Sequence, residues 1–201
     1  MEPHLAEPAR DPGREPDLRR AGGARASLKS DLRSAAPPDP GPEDHVRGPV
    51  EAPLVIEYAD FECPYCAQAD ALLGELPLRR VFRHFPVPSK HPRARALAHA
   101  AEAAALQGRF WELHDSLYAD PGRIDDPHLW ERARALRLDL ERFERDRRSE
   151  AVAERVAGDF RSGVRAGVVT TPTLFADGVR HPGVPDAELL ERLALAAQAR
   201  C

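Results

Sequence analysis

Apolar and polar positions divide the chain near Pro49. Residues 1–49 hold nine of the twenty prolines and no Phe, Trp or Tyr, and their apolar residues (Leu5, Leu18, Leu28, Leu32, Val46) are scattered among charges of both signs. A segment so composed cannot bury enough surface to offset chain entropy, so it is predicted as a disordered arm or linker. A short helix over Ala24–Ser34 is the alternative. Residues 50–201 are patterned. Pro53–Tyr58 is a short β-rich run that reads as a buried strand. Ala59–Glu62 turns into a helix with Pro64 in its first turn, where a missing N–H does no harm, and the helix stops before Pro77. Leu78–Phe85 reads as a second strand.

A long helical stretch follows. Ala94–Leu106 is rich in alanine, the best helix former, and Phe110–His114 continues with Leu113, Leu117 and Tyr118 on one face. Further helices are predicted over Pro127–Leu136, Leu140–Arg147 and Glu150–Arg165. Val168–Phe175 then turns apolar and β-branched, Asp177-Gly178 is a hairpin signal, and Val179–His181 is a returning strand. Asp186 can cap a last amphipathic helix that buries Leu189, Leu190 and Leu193. The order describes an α/β chain: a small mixed sheet with a helical insertion, about residues 91–166, between its halves.

Charge and composition narrow the function. The net charge of −4 gives no reason to expect nucleic acid as a partner. No run approaches the roughly 18 apolar residues of a membrane span. Met1–Arg20 has no apolar core of a secretory signal, so a cytoplasmic location is expected. Two of the three cysteines, Cys63 and Cys66, lie three positions apart, and the third, Cys201, is the last residue. A closed zinc site needs four ligands. There is no second C-x-x-C, and His84, His91 and His99 are spaced at seven and eight, so neither metal nor other cofactor is expected.

A C-x-x-C at a helix start suits disulfide exchange, which needs a thiolate and a second thiol to expel the bound substrate. Cys63 would lie at the helix N-terminus, where free N–H groups and the helix dipole stabilise negative charge. Cys66 would be its neighbour on the same face. Cys63 is therefore the expected nucleophile and Cys66 the resolving thiol. Phe110, Trp111 and Tyr118 read as core, His114-Asp115 as packing or capping, and Arg142–Arg148 as a solvated helix face.

Four blocks occur in order: Phe61-Glu62-Cys63-Pro64-Tyr65-Cys66, Phe82-Arg83-His84-Phe85-Pro86, Gln107-Gly108-Arg109-Phe110-Trp111 with His114-Asp115, and Thr171-Pro172-Thr173 before Asp177-Gly178. Together they resemble the DsbA family, from Pro49 to the C-terminus. The resemblance implies a thioredoxin-like fold with an inserted helical domain and an activity on protein thiols or disulfides, with a recycling redox partner it does not name. It implies that Glu57, six residues before Cys63, is a buried acid that takes the proton of the resolving thiol. It implies that Pro172 is a cis-proline facing the dithiol, and that Pro64, Tyr65, Thr171 and Pro172 contact substrate. His45–Pro49 also resembles the lead into DsbA-like domains fused behind sodium–proton antiporters. Two alternatives stay open: a glutathione-dependent, glutaredoxin-like reductase, since Cys-Pro-Tyr-Cys is also a glutaredoxin sequence, and a non-catalytic binding module.

Overall fold

The structure is a computed structural model and describes residues 36–199. Strand β1 (His45–Arg47) precedes a β–α–β unit of β2 (Leu54–Ala59), α1 (Pro64–Gly74) and β3 (Arg79–His84). Five helices follow: α2 (Ala94–Ala105), α3 (Phe110–Ala119), α4 (Asp126–Ala135), α5 (Leu140–Asp146) and α6 (Glu150–Arg165). A hairpin of β4 (Thr173–Ala176) and β5 (Val179–Pro182), then α7 (Ala187–Gln198), complete the described residues. The strands form one sheet in the order β1-β3-β2-β4-β5. Only β2 and β3 pair in parallel; the other pairs are antiparallel.

The order follows from local chemistry. Val55–Ala59 of β2 is buried on both faces, so it reads as a continuous run rather than an alternation. Asp177 and Gly178 carry φ of 50° and 74°, the left-handed pair that a tight hairpin between β4 and β5 demands. Asp125, Asp139, Ser149 and Asp186 each cap a helix by accepting a backbone N–H three residues on. The core has three parts. One lies between the sheet and the helical block and contains Phe61, Phe82, Leu113 and both active-region cysteines. Another joins Val55 and Leu174 to Leu73 of α1 and Leu189 and Leu193 of α7. The last gathers Tyr58, Phe85 and Phe175.

Two expectations need correction. The first is the domain boundary at Pro49. Residues 1–35 and the helix expected over Ala24–Ser34 lie outside the described residues, but 41–49 are integral to the fold. β1 pairs with β3 through Val46 and Val81. Asp44 grips the buried Arg83 with both carboxylate oxygens, at 2.8 and 2.9 Å. His45 meets Glu102 of α2 at 2.7 Å and Arg47 meets Asp115 of α3 at 2.7 Å. Gly48 has φ +94°, and a Cβ there would lie 1.9 Å from the Leu78 carbonyl oxygen, so the chain passes close against the start of β3. Polar pairing, not apolar burial, orders this segment, which is why its composition reads as linker. The second correction concerns Val168–Pro172, expected as part of a strand. It is irregular, and β4 starts only at Thr173. Pro172 cannot donate to a ladder, and Val169 is 87% exposed.

Arg83 also reaches the Tyr58 hydroxyl at 3.1 Å and the Pro38 carbonyl at 2.9 Å, so losing Asp44 strips its anionic partner while leaving neutral ones. Asp44→Ala is expected to destabilise the fold by about 2–3 kcal/mol, because it leaves a buried charge uncompensated. Urea unfolding checks this. Removal of residues 1–47 should lower the midpoint further, and an unchanged midpoint would return 36–47 to the status of a linker.

Candidate active site

Cys63 is the N-cap of α1, with an extended backbone (φ −81°, ψ 118°) and Pro64 directly after it. No side chain caps this helix, unlike the four capped helices above, so no side-chain oxygen competes with the Cys63 sulfur at its N-terminus. The Cys63 carbonyl accepts the Cys66 N–H at 3.0 Å, which closes the first turn. Both thiols are free, and both are buried: Cys63 is 4% exposed and Cys66 2%. Sγ of Cys63 lies 3.4 Å from the Thr171 carbonyl oxygen, and the Asp60 N–H donates to Sγ of Cys66 at 3.4 Å.

This environment drives the two thiols apart. The hydrogen bond from the Cys66 thiol lowers the Cys63 pKa to about 5, against the effect of burial and with help from the Thr171 side chain and from the backbone N–H groups of Cys66 and Tyr65. Burial pushes the Cys66 thiol far up, and its bond to Cys63 pushes the same way. Cys63 is thus held as a thiolate at neutral pH, and Cys66 as the thiol that stabilises it.

The Thr171–Pro172 peptide bond is cis. The Pro172 carbonyl accepts the Gly183 N–H at 2.8 Å, and the Thr173 hydroxyl donates to the Thr170 carbonyl at 2.7 Å, so this loop is tied to the hairpin on both sides. Pro64 and Tyr65 stand on the rim, Tyr65 at 62% exposed. Glu57 lies in mid-sheet, opposite Phe82 on one side and Leu174 on the other. It is a paired carboxylate rather than a solitary one. Arg80 Nη2 holds Glu57 and Asp70, each at 2.7 Å. Tyr118, buried at 8% exposure, donates to the Asp60 carbonyl at 3.5 Å. Burial, and then Cys66, Glu57, Asp70 and Asp60 around it, push its hydroxyl well up.

Two residues of the site escaped the sequence reading: Asp60 and Asp70. Asp70 stands four residues after Cys66 on α1, so helical spacing puts both on one face, a signal that was available. Two clusters among the described residues bring three possible metal-ligating atoms within 4.8 Å: His45, His84 and Glu102, and Glu57, Asp70 and His114. Each carboxylate group already faces an arginine, Arg155 at 4.0 Å from Glu102 and Arg80 in the second cluster. Protein cations therefore meet the charge in both.

A β–α–β unit whose helix begins at a reactive cysteine pair, joined to a hairpin across a helical block, is the thioredoxin-like class of fold. A family model described as thioredoxin matches residues 41–193, and the chain belongs to that family, with a helical block inserted between β3 and β4. It is 45% identical over 167 residues to a protein named Na(+)/H(+) antiporter NhaA 3 of Salinispora tropica. It is 42% identical over 190 residues to one named Na(+)/H(+) antiporter NhaA 1 of Salinispora arenicola. These matches take in 80% and 92% of this chain but only 26% and 29% of the relatives' length. Among solved structures, a thioredoxin-like oxidoreductase from Silicibacter pomeroyi is 27% identical, with a TM-score of 0.69 over 79% of this chain and 94% of that one. Wolbachia pipientis alpha-DsbA1 shares the fold at 19% identity, with a TM-score of 0.65 over 80% of this chain and 96% of its own. The catalytic domain of Proteus mirabilis ScsC does so at 18%, with a TM-score of 0.64 over 87% and 96%. Among the described residues, no helix is long and apolar enough to cross a membrane.

Alkylation of the reduced protein with iodoacetamide tests the asymmetry. A depressed thiol pKa means that the reactive form is present above that value and lost as pH falls through it. Cys63 should therefore label at a rate that is half-maximal near pH 5, the value its surroundings impose, and flat above it. Cys66 should stay unlabelled until the protein unfolds. Equal labelling of both cysteines, or a Cys63 midpoint near an ordinary thiol's, would contradict the site as described.

Proposed function

We propose that this chain is a dithiol–disulfide oxidoreductase acting on protein thiols and disulfides through Cys63 and Cys66. The observation that carries the reading is a Cys63 thiolate held at an uncapped helix N-terminus beside a buried Cys66 thiol. In the reductive direction, the Cys63 thiolate attacks one sulfur of a substrate disulfide. An S–S bond forms between Cys63 and substrate as the substrate's own breaks, and the other substrate sulfur leaves as a thiolate. Cys66 then loses its proton and attacks Sγ of Cys63. The second substrate thiol is released, two electrons have passed to the substrate, and Cys63 and Cys66 are joined as a disulfide. Oxidation of substrate dithiols is the same sequence reversed.

The low Cys63 pKa favours that reverse direction. Stabilising the thiolate stabilises the reduced protein, so the disulfide form is a ready acceptor of electrons, and a separate redox partner must reoxidise the dithiol. Glu57, a buried mid-sheet carboxylate paired with Arg80, is the group assigned to take the Cys66 proton. Tyr65 on the rim and the Thr171 backbone, whose carbonyl lies 3.4 Å from Sγ of Cys63, supply an apolar contact and an edge for an extended substrate segment.

Insulin reduction and the reoxidation of a reduced substrate protein test the proposal together. Cys63→Ser should abolish both activities, and Cys66→Ser should accumulate mixed disulfides visible on non-reducing gels. The reduction potential should lie on the oxidising side of about −200 mV. Glu57→Gln should slow the resolving step more than the first attack, by about tenfold or more. An inactive protein that reacts with neither substrate would sink the proposal. The second reading, a binding module serving a transporter, rests on the antiporter names of relatives in which a matching segment fills about a quarter of the length. Partner binding unaffected by replacing both cysteines with serine would favour it.

A further inference from the structure

Asp60 stands at the centre of the dithiol without being part of it. Its backbone touches both cysteines: its N–H donates to Sγ of Cys66 at 3.4 Å, and its carbonyl accepts the Cys63 N–H at 3.1 Å. Its side chain is fully buried and takes three donors. Oδ1 accepts the Glu62 N–H at 2.9 Å, which fixes the turn leading into Cys63. Oδ2 accepts the Val87 N–H at 2.9 Å and meets Nδ1 of His91 at 2.9 Å. Glu62 reaches the same segment, accepting the Arg93 N–H at 2.5 Å. The loop after β3 is thus sewn to the active-site turn by two carboxylates. The titratable groups around Asp60 are His91 from that loop, Tyr118 from α3 and Cys66 from α1.

We propose that Asp60 is the positioning residue of the dithiol, its carboxylate using Val87 and His91 to hold the peptide that sets the placement of both sulfurs. The proposal rests on the dithiol reading of the site and adds to it the part that fixes the geometry. An Asp60 peptide free to tilt would release Sγ of Cys66. The hydrogen bond from Cys66 to the Cys63 sulfur would lengthen, and the Cys63 thiolate would lose its main support.

The sign of one measurement separates this role from a plain electrostatic one. A carboxylate near a thiolate repels it, so if Asp60 acted by charge alone, Asp60→Asn would lower the Cys63 pKa. As a positioning residue it acts oppositely. The amide cannot accept from all three donors, so the peptide loosens and the Cys63 pKa rises by about one unit or more, a tenfold loss of thiolate near the midpoint. The thiolate's ultraviolet absorbance, followed against pH in the full chain, reads this directly. Equilibration with glutathione should show the same variant shifted toward a more reducing potential. Asp60→Glu keeps the charge but displaces the carboxylate and should shift both readouts in the same direction. An unchanged or lowered Cys63 pKa in either folded variant overturns the proposal. Failure of both variants to fold also counts against it, because Asp60 would then hold the fold at large. The result is independent of the proposed function. Shifted variants of a protein with no exchange activity would leave Asp60 in this role and remove the function, and unshifted variants of an active protein would do the reverse.

Discussion

Everything at this site depends on two neighbouring sulfurs that must not exchange roles. The Cys66 thiol supports the Cys63 thiolate, and it does so because burial keeps Cys66 protonated. Two constraints maintain that division. Pro64 and the absent side-chain cap leave the N-terminus of α1 open toward Cys63. The apolar cluster of Phe61, Phe82 and the helical block closes over Cys66. A free thiol in water would be about evenly matched with its neighbour. Here one sulfur receives the helix terminus and the other receives the core, and the difference between them drives the exchange chemistry.

The same core carries an unusual load of buried charge. β3 reads Arg-Arg-Val-Phe-Arg-His, yet Arg80 and Arg83 are both buried. Desolvating an arginine is tolerable only when an anion and further acceptors surround it. Arg80 finds Glu57 and Asp70; Arg83 finds Asp44, the Tyr58 hydroxyl and the Pro38 carbonyl. Because arginine keeps its proton at any relevant pH, these pairs also hold their carboxylates beside it. The buried pair of Glu57 and Arg80 anchors the middle of the sheet.

Local chemistry explains what the sequence made legible. The C-x-x-C with Pro64, the Asp177-Gly178 hairpin and the Asp186 cap are short signals whose physics is complete within a few residues. So is the alanine-rich run that became α2. The segment before Pro49 was misread for the opposite reason. His45-Val46-Arg47 is too short and too polar to show an alternating pattern, and its partners lie far along the chain: Asp44 meets Arg83 thirty-nine residues later, and His45 meets Glu102 fifty-seven later. Asp60 was missed because a single acid before a turn is common and its three donors are set by the return of the β3 loop. Val168–Pro172 was over-read as strand because β-branched residues score as β wherever they stand, whereas this stretch spends them on exposure and on a turn.

The burial of the two sulfurs bears on what can reach them. A site that closes both sulfurs to within a few per cent of full burial admits only a narrow approach. A small thiol could use it without help from the rim. The first turn of α1 nevertheless exposes Tyr65, two residues from Cys63, at 62%. Isolated exposed apolar residues are ordinary, but one beside a reactive sulfur offers contact area that a small thiol does not need. On the proposed reading an extended polypeptide would use it, with its backbone along Thr171, whose carbonyl oxygen lies 3.4 Å from Sγ of Cys63.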